Sequence, residues 1–463
     1  MHRVSQALGA LVVVCALALF LWPAQDAAQA TTLRATALVV FAVGLWASAA
    51  VPEYLVALSF LFLAAVTAVV PPDVVFAGFT TSTLWLVFGG LIVAEAVRVS
   101  GLGVRLASRL LGPFSTSYLG ALVGTMLVTT VLCFVMPATV ARILLMVPIL
   151  VAFCDRLGLE RGGRGFNGIM LAMLIGSFQV GAAILPANIP NLVLAGSAET
   201  LYGVQILYLE YLKLHFPAQG FAKAVLTIWL INLMFHQTPQ PAKAEAALPP
   251  MSFDEWRMAV ILGGALALWA TDFIHHIRPG WIGLGAGLLC LLPRVGLIDI
   301  HAFNERVKLA PFFYIGAVLG VAAMIDAAKL STTFGAGLTD WLALTGGSDF
   351  WNFMRLSLLS TVTTMIATSP GQPALLGPLA ADLAAACGWD VKTVLMLFGI
   401  GFSTIVLPYQ VPPVIVGLYV AGVAPRHAAR VFIIQAALTV VLLWPLNYLW
   451  WSLLGYFEPS TLP

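Results

Sequence analysis

Long apolar runs, cut at intervals by proline and small polar residues, organise this chain. A bilayer crossing needs about 20 predominantly apolar residues. Stretches of that kind fall near 5–23, 33–50, 53–71, 81–98, 219–238, 257–273, 279–294, 309–326 and 429–452. Four further stretches are long but interrupted. They are 115–155 at Met136-Pro137-Ala138-Thr139, 165–198 at 186–191, 352–387 at Ala367-Thr368-Ser369-Pro370-Gly371, and 390–422 at 408–413. Proline lacks the N–H that a helix interior needs and collides with the preceding turn. Open backbone within hydrocarbon survives only where protein buries it or a wet cavity adjoins it. The pattern predicts an all-α polytopic membrane protein with about 11 transmembrane helices. The first and third interruptions read as two re-entrant hairpins, the second and fourth as broken helices.

Two of the interruptions share a phrase: Leu185-Pro186-Ala187-Asn188-Ile189-Pro190-Asn191 and Leu407-Pro408-Tyr409-Gln410-Val411-Pro412-Pro413. Other features recur in the same order. Pro52 and Pro279 each open a span, and Phe88-Gly89-Gly90 and Tyr314-Ile315-Gly316 sit alike in the next one. An odd number of crossings separates the halves, so one starts inside and the other outside, as an inverted repeat. The organisation expected is N-terminal helices over 1–50, a first repeat over 51–238, a cytoplasmic linker over 239–256, a second repeat over 257–452 and a tail over 453–463. Matched broken helices in inverted repeats point to a secondary transporter whose site lies near the membrane midplane.

Composition supports lipid exposure: 61% of residues are hydrophobic and 9% charged, against about 25% charged in soluble domains. The 22 Lys and Arg are dispersed, with a net charge of +2, which excludes a nucleic-acid partner. Neither the five cysteines nor His275-His276 has metal-ligand spacing. Apolar residues from Leu8 to Trp22 followed by Ala28-Gln29-Ala30 have the outline of a secretory signal, and a retained first helix is the preferred reading. With the N-terminus inside and the C-terminus outside, most basic residues fall on the cytoplasmic side, as the positive-inside rule requires. Lys223 falls on the outer side in that scheme, and Glu95, Asp326 and Lys329 read as solvated surface. The location expected is a cytoplasmic (inner) membrane of the bacterial type. Segment 101–112, with Arg105 and Arg109 on one face, reads as an interfacial helix tying two blocks together.

The candidate chemistry lies at the interruptions. A half-helix N-terminus offers unpaired N–H groups and partial positive charge, suited to a carboxylate or another oxyanion. Asn188, Asn191 and Gln410 either face the ligand or cap the broken helices. Thr139 on the first tip and Thr368, Ser369 and Gln372 on the second either touch substrate or cap their limbs. Arg142 is carried to membrane depth, where an unpaired charge costs several kcal/mol. It either partners an anionic substrate or pairs elsewhere, with Asp382 as one partner. Gln179 either lines the cavity or makes a helix–helix hydrogen bond. A channel would need a continuous polar lining, and here polar groups gather at four breaks. No catalytic residues and no cofactor are indicated, and metal ligands remain unassigned.

From about Pro52 to Ser452 the chain resembles the divalent anion/sodium symporters, the dicarboxylate, citrate and sulfate carriers of the ion transporter superfamily. Ala187-Asn188-Ile189-Pro190-Asn191 and Gln410-Val411-Pro412-Pro413 look like that family's broken-helix phrases. Phe134-Val135-Met136, Pro148 and Pro378 match the surroundings of its tips. The resemblance implies a homodimeric secondary active transporter of small anions, di- or tricarboxylates or sulfate-like oxyanions, working as an elevator by symport. Segments 53–98, 219–238, 279–326 and 429–452 would form the scaffold. Where the family has Ser-Asn-Thr tips, this chain has Pro137-Ala138-Thr139 and Thr368-Ser369-Pro370. Those departures argue against sodium coupling and leave open a sodium-independent anion exchanger or a proton-coupled organic-anion carrier.

Overall fold

The computed structural model describes residues 2–240 and 248–458, with side chains outside 2–4 and 331–336. The expected linker and tail therefore fall partly outside the described residues. Every described element is a helix or a short helical turn. Among the described residues seven helices are long and apolar enough to cross a membrane, or eight if one bent pair counts as a span. Four apolar helices are shorter: Ser5–Leu21, Glu53–Thr67, Pro279–Leu291 and Pro412–Ala421. The expected count of crossings thus includes short and broken elements. Many large apolar side chains remain exposed, Phe62, Trp229, Leu233 and Tyr419 among them, as befits an integral membrane protein.

The repeats interlock rather than sit side by side. Ser82–Ser100 of the first packs on Pro279–Leu291 of the second, and Ala310–Ala327 of the second packs on Glu53–Thr67 of the first. The first contact is backbone to backbone. A Cβ on Gly89 would come within 2.2 Å of the Gly283 carbonyl oxygen, and one on Gly280 within 1.9 Å of the Ser82 carbonyl oxygen. Only glycine permits that approach, which replaces side-chain interdigitation with close dispersion contact.

The interruptions appear where proline placed them. Tyr118–Val135 and Thr139–Arg156 flank an extended break in which Met136, preceding Pro137, has φ −123°. Pre-proline sterics favour that conformation. Arg164–Gln179 and Ile189–Tyr202 flank the second break, and Val391–Ser403 and Pro412–Ala421 the fourth. The third differs from the five-residue opening expected: the helix Asp349–Leu376 is interrupted at Thr368 alone, with φ 63° and ψ 167°. Pro370 then falls in a first turn, where its missing N–H has no partner to lose. Each C-terminal half-helix crosses to the other repeat, Ile189–Tyr202 onto the second hairpin and Pro412–Ala421 onto the limb Thr139–Arg156.

Two expectations are corrected. The span expected over 219–238 starts earlier, in a helical run Tyr208–Phe235. A π-helical segment, Phe216–Ala222, absorbs Pro217 without ending the run. A second π-helical segment, Thr439–Leu443, occupies the matching place in Pro425–Leu453. These two long elements also do not join the scaffold helices: they pack chiefly on the hairpins and broken helices. The amphipathic helix Leu102–Leu111 packs between Ser82–Ser100 and the first hairpin, as its linking role requires.

Candidate functional site

Prolines that open the helices also expose their carbonyls, and most of the candidate polar side chains serve those carbonyls. Arg142 has no exposed surface. Its guanidinium donates to the carbonyls of Met136, of Ala187 at 3.0 Å and of Ser177 at 2.7 Å. It also donates to Thr139 Oγ1 at 3.3 Å and Asn188 Oδ1 at 3.2 Å. Three of these five oxygens are main-chain acceptors freed by the first hairpin tip and the first broken helix. The positive charge is thereby held by dipoles rather than by an acid. Asp382 is not a partner, and Arg142 does not line the cavity described below.

The neighbouring amides close the same knot. Thr139 Oγ1 donates to Asn188 Oδ1 at 2.6 Å, and Asn188 Nδ2 donates to the Phe178 carbonyl at 2.6 Å. Asn191 Nδ2 donates to the carbonyls of Gly181 at 3.0 Å and Ile184 at 2.8 Å. Gln410 Oε1 accepts from the N–H groups of Val406 and Leu407 at 2.9 and 2.7 Å. Capping therefore accounts for all three amides, although Gln410 Nε2 stays buried without a partner. On the second tip Ser369 Oγ donates to the Phe402 carbonyl at 3.4 Å. Gln372 is fully buried, with neither amide atom hydrogen-bonded among the described residues. Gln179 Oε1 accepts from Gln435 Nε2 at 2.7 Å, the helix–helix bond rather than the cavity-lining role.

Around this knot lies a cavity of about 480 Å³. Both tips reach it, through Pro137–Ala141 and Pro370, as do both broken phrases, through Ile189-Pro190 and Val411-Pro412-Pro413. Its other wall is formed by Ser82–Ser100 and by residues 306–314. Of the eight candidate residues only Thr139 contributes to the lining. The two half-helix termini are not equivalent. Asn188 gives Ile189–Tyr202 no side-chain cap. Pro412 and Pro413 instead occupy the first two positions of the other half-helix, and the N–H of Val414 returns to the Val411 carbonyl at 2.9 Å. The second terminus thus keeps its dipole but loses the N–H donors that an oxyanion needs.

Several charged residues went unrecognised as cavity or core groups in the sequence. Glu95 is buried, pairs with Arg98 at 2.5 Å and lies 4.0 Å from Arg306. Its expected placement on a solvated surface is corrected, because the three residues line the cavity. Lys223 is likewise fully buried rather than at the outer interface. Its Nζ donates to Gln219 Oε1 at 3.0 Å, to the Ser403 carbonyl at 2.8 Å and to Ser403 Oγ at 3.4 Å. The available signal was a Gln and a Lys four apart in an apolar run, beside Pro217.

The model of the sodium:sulfate symporter transmembrane region matches residues 4–457. The chain belongs to this family. A membrane protein of Cupriavidus necator is 26% identical over 82% of this chain and 76% of its own length. The citrate/succinate antiporter of Escherichia coli K12 is 22% identical over 81% of this chain and 80% of its own. The solved structure of the YdaH transporter of Alcanivorax borkumensis superposes with a TM-score of 0.56 at 15% identity, covering 87% of this chain and 90% of that one. At that identity the likeness concerns the fold.

Proposed function

We propose that this protein is a secondary active carrier of organic anions, with carboxylates as its substrates. The observation that carries this reading is the convergence of all four breaks on one cavity, two from each repeat. The antiporter of citrate and succinate among its relatives supports it. In this reading Thr139 is the candidate residue that meets substrate, because it alone of the candidates lines the cavity. The hairpins and broken helices move as one block past the glycine-packed helices, in the manner of an elevator. The protein works as a homodimer in a cytoplasmic (inner) membrane, N-terminus inside and C-terminus outside.

One observation favours sodium-independent exchange over symport. Five oxygens surround the Arg142 guanidinium, as carbonyls, hydroxyls and amide oxygens would surround a hard cation. A tethered cation in that cage makes a free one unnecessary at the first break. Lys223 sets a second tethered amine against Ser403, beside the second broken phrase. In proteoliposomes, replacing sodium with potassium should leave carboxylate counterflow unchanged. Arg142→Ser, which empties the cage, should lose most activity in potassium and recover part of it in sodium. Parental counterflow that stops without sodium would overturn this mechanism.

A further inference from the structure

The cavity is built asymmetrically, and the asymmetry selects a substrate. We infer that this carrier takes carboxylates bearing one negative charge and a bulky apolar body, such as aryl or branched aliphatic monocarboxylates, in preference to compact dianions. The inference rests on the carboxylate-carrier reading above and concerns only which carboxylate fits.

Three independent features support the inference. The first is size with wall chemistry. About 480 Å³ is the range of sites for drug-sized ligands, which are mostly apolar with few polar groups. Here Pro137, Pro190, Pro370, Pro412 and Pro413 contribute ring methylenes where a compact dianion would want donors. Phe178 and Val416 extend that apolar wall. The second is the loss of donors at one end. The Asn188 and Asn191 amides and the side-chain oxygen of Gln410 are engaged with backbone, and Pro412-Pro413 removes two N–H groups from the second half-helix. A second carboxylate placed there would be desolvated without hydrogen bonds, which is strongly unfavourable. A hydrocarbon body loses nothing. The third is charge balance. Arg98, Arg306 and Lys308 share the wall with Glu53 and Glu95, three cations against two carboxylates, so the lining carries one formal positive charge in excess. That excess draws an anion into the cavity.

The test is equilibrium binding to the purified full-length protein, using labelled benzoate displaced by phenylacetate, succinate, citrate and sulfate. The aryl carboxylates should bind at least about tenfold more tightly than succinate. Val416→Asn, which places an amide on the apolar wall, should narrow that preference by weakening aryl binding more than succinate binding. Succinate or citrate binding as tightly as the aryl acids would overturn the proposal while leaving the carboxylate carrier intact. Equal weakening of both classes by Val416→Asn would also overturn it. If no carboxylate binds, the carrier reading itself falls, and this inference with it.

Discussion

Arg142 is fully buried beside the first hairpin tip. A lone arginine deep in an apolar stretch needs a counter-charge or water, and nearby sequence supplies neither. The structure meets that need with main-chain carbonyls from two separate breaks, a partnership invisible along the chain because Met136 and Ala187 are far apart in sequence. Thr368 carries the opposite lesson. Its place at a tip was legible from Pro370-Gly371, but its backbone, at φ 63° and ψ 167°, lies in a region nearly confined to glycine. Such a conformation costs about 1–3 kcal/mol. Thr368→Gly should therefore gain about 1 kcal/mol of stability after the greater chain entropy of glycine, roughly 0.5–1 kcal/mol, is subtracted. Thr368→Ala should keep the strain and gain nothing. Denaturant melts in detergent would read both, and equal stabilities would refute the strain argument. A fall in transport common to both variants would assign the hydroxyl to substrate.

At the level of elements, the breaks were legible because proline acts locally. Its ring fixes φ and restricts the residue before it, so Met136 and Leu407 are extended and Val411 is held out of the helical region at φ −128° and ψ 88°. The run through Pro217 was not legible, because a π-helical turn is stabilised by what packs on it. The linker's attachment was legible only in part. Arg105 on the interfacial helix donates from Nε to Glu255 Oε1 at 2.6 Å and to the carbonyls of Pro249 and Pro250 at 2.9 and 3.0 Å. Hydrogen bonding from Arg105, and then from the Ser252 N–H, draws the Glu255 carboxyl down from its ordinary 4.5 to about 2. A depressed acid adds stability that is complete above its unfolded value and is lost as pH falls through its folded value. Thermal midpoints of the parent should therefore drop more steeply than those of Glu255→Gln between about pH 4.5 and 2. Parallel curves would show that the pair contributes nothing.

At the level of the whole molecule, one ionic contact joins the half-helix Ile189–Tyr202 to the opposite wall. Glu199 accepts from the N–H and hydroxyl of Ser82 and Thr83 at 3.0–3.3 Å, and from Arg278 at 2.5 Å. If the two blocks slide past each other, this contact must open in every cycle. A Thr83→Cys/Glu199→Cys pair, in a Cys15→Ser background that removes the exposed cysteine, should be bridged by mercuric ion. Transport should then stop and return on adding thiol. Undiminished transport by the bridged protein would rule out relative motion at this contact.

Periodicity, proline and composition determined a great deal by themselves: a helical membrane protein, four interruptions and an inverted repeat, because each follows from local backbone sterics and the cost of bare polar groups in lipid. The tertiary structure alone decided which polar side chains are free for a ligand. Capping and ligand binding use the same donors and acceptors, and only folded distances tell them apart. It also decided that Lys223 is buried and that Glu95, Arg98 and Arg306 border the cavity, since depth along the bilayer does not say which way a helix face turns.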